Sequence, residues 1–217
     1  MKTRLLIPLF LVFYFLILST CSKTASRLLI SDKDESNLGT EFHQQLLDSV
    51  NTDGTKPFPV FDPGSDPARL AFKAYADSVF NSIIISVPED EHPDYDFTFT
   101  IIDQDVVNAF AVPGGYIYIY TGILKALQNE AEMAAILAHE VAHVTQHHYA
   151  RTVYKQTIYG TLVEALVGSE SALSDFVKGA FGVLAGSYVS RDHEYEADEF
   201  GTKYLAASER NPRGIVF

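Results

Sequence analysis

Five consecutive residues, His139-Glu140-Val141-Ala142-His143, constrain this chain more than any other feature, because they can work together only on an α-helix. Histidines four apart on a helix stand one above the other, about one turn (~6 Å) apart, so both imidazoles reach a single tetrahedral metal ion. Glu140 lies roughly 100° around the axis from His139. That puts its carboxylate beside the ion's open position, where it can take a proton from a water held there. The surroundings agree with a helix: Asn129 and Glu132 form an N-x-x-E cap, and alanines 131, 134, 135, 138 and 142 favour the conformation.

Two histidines do not complete a zinc site, so a third protein ligand has to come from elsewhere. A glycine turn followed by a third histidine would occupy positions 146 and 149, but these are Gln146 and Tyr149. A continuous helix carries His147 too far along its axis to share the ion, so His147 and His148 read as surface residues or as neighbours behind the ligands. The other source is a carboxylate on a second helix, which Ser190-Arg191-Asp192-His193-Glu194-Tyr195-Glu196-Ala197-Asp198 can supply. Ser190 caps that helix, and acidic residues fill the first turn, where the dipole favours them. Glu194 and Asp198 share a face, whereas Glu196 is roughly 200° away and points elsewhere. Glu194 is then the third ligand, and Asp198 the carboxylate that orients a ligating imidazole through its other nitrogen. The plainer alternative is an acidic helix whose charges are merely solvated.

At these motifs the chain resembles family forty-eight of the zinc metallopeptidases, which includes the CAAX prenyl proteases and the HtpX-like and BepA-like enzymes, the last of them bacterial lipoproteins. Ser31-Asp32-Lys33-Asp34-Glu35-Ser36-Asn37-Leu38-Gly39, followed by Phe42-His43, resembles the family's SxxxExxLG…FH segment. Asn108-Ala109-Phe110-Ala111-Val112-Pro113-Gly114-Gly115 is similar to the hairpin before its catalytic helix, and Ser190 to Asp198 to its SRxxExEAD segment. The likeness runs over roughly residues 30 to 212. It implies an α+β fold, mainly α-helical: a zincin-like (gluzincin) metallopeptidase domain with a small β-sheet or hairpin preceding the HExxH helix. It also implies one Zn2+ per chain on His139, His143 and Glu194, with Glu140 as catalytic base. The implied activity is zinc-dependent endopeptidase cleavage of extracytoplasmic proteins, unfolded or misassembled ones above all.

The same resemblance makes Asn108, Ala109, Phe110 and Ala111 an edge strand for a protein or peptide substrate. An unpaired edge holds extended peptide by backbone hydrogen bonds without reading its sequence. From the residues alone, an edge that only completes the sheet stays open. So do a zinc-bearing chaperone or assembly factor that rarely cuts, and a zinc hydrolase of small esters or amides. Family members add a histidine or arginine downstream of the third ligand to steady the oxyanion; His193, Tyr195 and Arg213 are the candidates here.

The first residues read as a lipoprotein-type signal peptide over 1–20. Lys2 and Arg4 form a basic start, Leu5 to Leu18 an apolar core, and Leu18-Ser19-Thr20-Cys21 a lipobox-like end. The apolar run is shorter than the ~18 residues of a spanning helix. Cys21, the only cysteine, becomes the lipid attachment point, with an uncleaved anchor as the alternative. Residues 21–35 then form a tether and 36–217 the metallopeptidase domain, with a C-terminus that reads as cut short. The expected product is an exported, membrane-anchored lipoprotein, facing the periplasm if its source is Gram-negative. A lone cysteine excludes an internal disulfide. The formal charge of −12 argues against nucleic acid as a partner and against a polybasic hold on anionic lipid.

Elsewhere, apolar positions 38, 42, 46 and 50 fall on one helical stripe, and Asp66-Pro67 opens a second helix whose stripe runs from 68 to 83. Phe97, Phe99 and Ile101 alternate with threonines as in a strand. The hairpin is expected over Val106–Ala111 and Tyr116–Tyr120, with Gly114 at the turn position that needs positive φ. Residues 151–167 extend the zinc helix or begin another. Leu173 to Tyr188 carry a further helical stripe, for packing or for a flap facing membrane or substrate.

Overall fold

The structure, a computed structural model, describes residues 30–49, 54–152 and 190–208. Helix α1 (Asp32–Asp48) begins at a reciprocal capping box. Ser31 Oγ accepts from the Asp34 amide, and the Asp34 carboxylate accepts from the Ser31 amide. The helix therefore starts inside the stretch expected to be a tether, and Glu35, expected as the tether's last residue, is buried. Helix α2 (Pro67–Ser86) is capped by Asp66 with proline at its first turn, as its sequence dictates, and buries Ala76, Val79, Phe80 and Ile83.

Strand β1 (Thr98–Ile102) lies parallel to β3 (Tyr116–Tyr120), and β2 (Ala109–Val112) lies antiparallel to β3, in the order β1-β3-β2. The hairpin's first strand starts three residues later than its apolar pattern suggested: Val106 and Val107 are exposed, and the Val106 backbone lies against Gly122. The turn at Pro113–Gly115 has Gly114 at φ 74°, the left-handed value foreseen for it. Short helix α3 (Thr121–Ala126) leads into α4 (Glu130–Thr145), and α5 (Arg191–Ala207) completes the described fold.

Period-two alternation sends the two sheet faces to different partners. Ile101, Ile117, Ile119, Ala109 and Ala111 join the main core with α2, α4 and α5, while Ile102, Tyr118, Tyr120 and Phe110 pack on the other side with Leu46 and Phe42 of α1. The outer edge of β1 is closed by Pro59–Phe61, through Phe61 N–H to Ile101 O at 2.8 Å and Asp103 N–H to Pro59 O at 2.7 Å. The outer edge of β2 pairs with no strand among the described residues. Helix α4 is the centre of the fold. Its alanines 134, 138 and 142 are fully buried and let α5 and β2 approach closely, and Leu137 and Val141 fill the space below. Among the described residues, no helix is long and apolar enough to cross a membrane. Residues 1–20, expected to be a signal peptide, together with Cys21, Leu173 to Tyr188, Arg213 and nearly all of 151–167, lie outside the described residues.

Candidate metal centre

Asn129 caps α4 by accepting from the Glu132 amide, so the helix that the alanines favour begins about two and a half turns before its functional residues. At its other end His139 and His143 turn their Nε2 atoms toward each other, 3.0 Å apart. Helix α5, capped by Ser190 Oγ on the His193 amide, brings Glu194 to the same point. Glu194 Oε2 is 3.4 Å from His139 Nε2, and Oε1 is 3.7 Å from His143 Nε2. Ligands bound at 2.0–2.1 Å to a tetrahedral ion stand about 3.3 Å apart, so these spacings are those of a zinc cage. Asp198 Oδ1 lies 2.8 Å from His139 Nδ1, behind the ring. One turn further along α5, Gly201 sets the distance between the helices: a Cβ there would meet His139 N at 3.0 Å and Ala138 O at 3.1 Å.

The electrostatics prepare this point for a cation. Burial, followed by the neighbouring His139 and His193, pushes His143 down to about 3, so its imidazole is neutral and able to ligate. Burial pushes Glu140 up to about 7; His139 lowers it, Glu194 raises it, and a hydrogen bond from the Ala111 backbone lowers it again. That last contact joins base to strand. In the antiparallel register, Asn108, Phe110 and Val112 exchange hydrogen bonds with β3, so the backbone N–H and C=O groups of Ala109 and Ala111 point away from β3. The Ala111 N–H goes to Glu140. A cavity of about 750 Å3 runs from Glu140, His139, His143 and Glu194 along Asn108–Val112.

Four predicted residues, His139, Glu140, His143 and Glu194, thus meet at one point, with Asp198 behind. Of the two readings open for His147 and His148, the surface one fails, since they are 1% and 3% exposed. The zinc helix stops at Thr145, and His147 takes the left-handed conformation at φ 53°, which turns the chain back on itself. His147 Nδ1 then lies 2.7 Å from the buried Glu35 of α1, which also accepts from the Tyr95 hydroxyl at 3.0 Å. His148 Nδ1 lies 2.8 Å from His143 Nδ1. Glu196 does point away from the centre, but to an ion pair with Arg151. Gln146 bonds the Tyr204 hydroxyl at 3.1 Å, and Tyr204 also meets Thr145 and Glu91, which pins α5 to the end of α4. Of the oxyanion candidates, His193 is buried beneath His148 and Tyr195 is largely exposed. Only the adjacent pair of histidines after the motif hinted at any of these contacts.

A helix-borne histidine pair, a carboxylate from a crossing helix and an adjacent edge strand together define a zincin-type metallopeptidase site. The chain belongs to peptidase family M48, whose family model matches residues 73–216. Members of that family are zinc metallopeptidases, and zinc is the metal this donor set fits. The chain is 33% identical over 130 residues to the beta-barrel assembly-enhancing protease of Yersinia pestis, covering 55% of this chain and 26% of that protein. The protein of the same name from Escherichia coli K12 is 32% identical over 130 residues, with the same coverage. The mitochondrial metalloendopeptidase OMA1 of Saccharomyces cerevisiae is 31% identical over 152 residues, covering 68% of this chain and 41% of its own length. The chain spans less than a third of the length of the bacterial relatives it matches.

Proposed function

We propose that this chain is the catalytic domain of a zinc-dependent endopeptidase that cleaves extended, unfolded or misassembled proteins outside the cytoplasm. The observation that carries the reading is the convergence of His139 Nε2, His143 Nε2 and a Glu194 oxygen within 3.7 Å, beside Glu140 and an open strand edge. His139, His143 and Glu194 hold the ion. When bound, zinc polarises the scissile carbonyl and makes water acidic enough to attack near neutral pH. Glu140 accepts the proton of the attacking water and delivers it to the leaving amine. Its carboxyl, raised toward neutrality by burial, suits both directions of that transfer. Asp198 fixes the His139 ring. The outward C=O and N–H of Ala109 and the C=O of Ala111 receive a substrate strand, laying its backbone alongside Glu140.

The anchoring belongs to the same proposal. A basic start, an apolar run and Cys21 support export and lipid attachment at that cysteine. Metal analysis and cleavage of an unfolded protein, run on wild type and Glu140→Gln, test the activity. One zinc per chain in both with cleavage only in wild type is expected; equal cleavage in both removes the base. For the anchor, a Cys21→Ser chain that still took up labelled fatty acid would refute the attachment site.

A further inference from the structure

Three of the five acidic residues of helix α5 bear on this end of α4, and two of them have evident roles: Glu194 at the ion and Asp198 behind His139. The third, Glu196, leads to a different group. Its Oε2 is ion-paired with Arg151 and lies 3.4 Å from His148 Nε2. The other ring nitrogen of His148, Nδ1, is 2.8 Å from His143 Nδ1. Arg151, Glu196, His148 and His143 therefore form one chain of polar contacts that ends at a ligand.

We infer that His148 is a positioning residue for the metal centre, holding His143 from behind through Nδ1 as Asp198 holds His139. The inference rests on the zinc reading of His139, His143 and Glu194. A ring nitrogen that ligates a metal carries no proton, so the proton of a ligating His143 is on Nδ1. Two ring nitrogens 2.8 Å apart share one proton, one donating and the other accepting. His148 Nδ1 is then the acceptor, and its own proton is on Nε2, which lies 3.4 Å from Glu196 Oε2 without a hydrogen bond to it. Arg151 balances the charge of that carboxylate through their ion pair. The ring plane of His148 is set as well: it stacks on His193 with centroids 4.5 Å apart and planes 3° from parallel.

The backbone supports the same role. On an uninterrupted helix, residue 148 would stand ~7.5 Å along the axis from His143 and roughly 140° around it, out of reach of its imidazole. The turn at Gln146-His147, with a histidine in the left-handed region that normally favours glycine, brings His148 back to its partner.

Two measurements test this on the full chain. In the zinc-loaded Glu140→Gln protein, 15N–1H spectra of the histidine rings should show His148 as the neutral Nε2–H tautomer with a hydrogen-bonded Nδ1. A proton on Nδ1 of His148 would overturn the inference, and this readout needs no change at position 148. Chelator competition supplies the second. His148→Phe keeps the stack on His193 but removes both nitrogens, and should weaken zinc binding about 10–100-fold. His148→Asn, whose Oδ1 occupies the place of Nδ1, should return to within a few-fold of wild type. Wild-type affinity in the Phe variant, or an Asn variant no better than Phe, would also overturn it. A His143→Ala chain that retained zinc would instead show that the ligand set is wrong, a failure separate from that of His148.

Discussion

Among the described residues, two histidine–carboxylate clusters lie about the end of α4, and their donors point in different ways. His139, His143 and Glu194 aim nitrogen and oxygen donors at a common point, with Asp198 behind His139 and His148 behind His143. Asp32, Glu35 and His147 contain the same residue types at similar spacing, yet their polar atoms are turned on one another and on Tyr95. The first cluster opens onto the cavity. The second is a closed lock between α1 and the turn after the zinc helix. Residue type does not distinguish them; donor direction does, because a buried polar group already satisfied by a neighbour has nothing to offer an ion.

The sharpest way to break this contrast is Glu140→Gln, which should lower peptide hydrolysis by ~10²–10⁴-fold while zinc content stays at one per chain. A variant that cleaves as wild type does, or loses its metal, contradicts the assignment of roles at the open cluster. Glu35→Ala addresses the closed one. It removes the hydrogen-bond partner of the buried His147 Nδ1 and should cost roughly 1–3 kcal/mol of stability in denaturant unfolding. Zinc stoichiometry below the transition should be unchanged; loss of metal would make the second cluster a site after all. Next, Asp198→Ala should weaken zinc about 10–100-fold in chelator competition, and no change would reduce Asp198 to a surface charge. The smallest effect is expected at the strand. Ala109→Pro removes an outward N–H that β3 does not use, and one lost hydrogen bond is worth about 0.5–1.5 kcal/mol. KM for an unfolded substrate should rise several-fold with kcat nearly constant, and an unaltered KM would mean that peptide lies elsewhere.

Much of the open cluster was legible from spacing alone, since His139, His143, Glu194 and Asp198 are placed by two helices whose period and caps are local properties. The same holds for Asp66-Pro67 at the head of α2 and for Gly114 in the hairpin. What escaped depends on long-range contact. Glu35 meets His147 across 112 positions, and no periodicity encodes that meeting. The start of α1 was misjudged because its polar first turn resembles a tether until the Ser31–Asp34 box is seen closing it. His148 was placed by extending a helix that in fact ends at Thr145, and a histidine at positive φ gives no warning in a sequence. The strand at Val106 was overextended because β-propensity there is overridden by the turn that brings Val106 against Gly122.

The strap formed by Pro59–Phe61 also decides how this protein behaves in a crowd of its own kind. A small sheet with two bare sides could be extended by sister molecules on both flanks, the geometry from which fibrils grow. Here one flank is blunted by a proline-bearing segment, so stacking stops after a single added strand. On the function proposed above, a margin left for substrate would then not double as a template for fibrils.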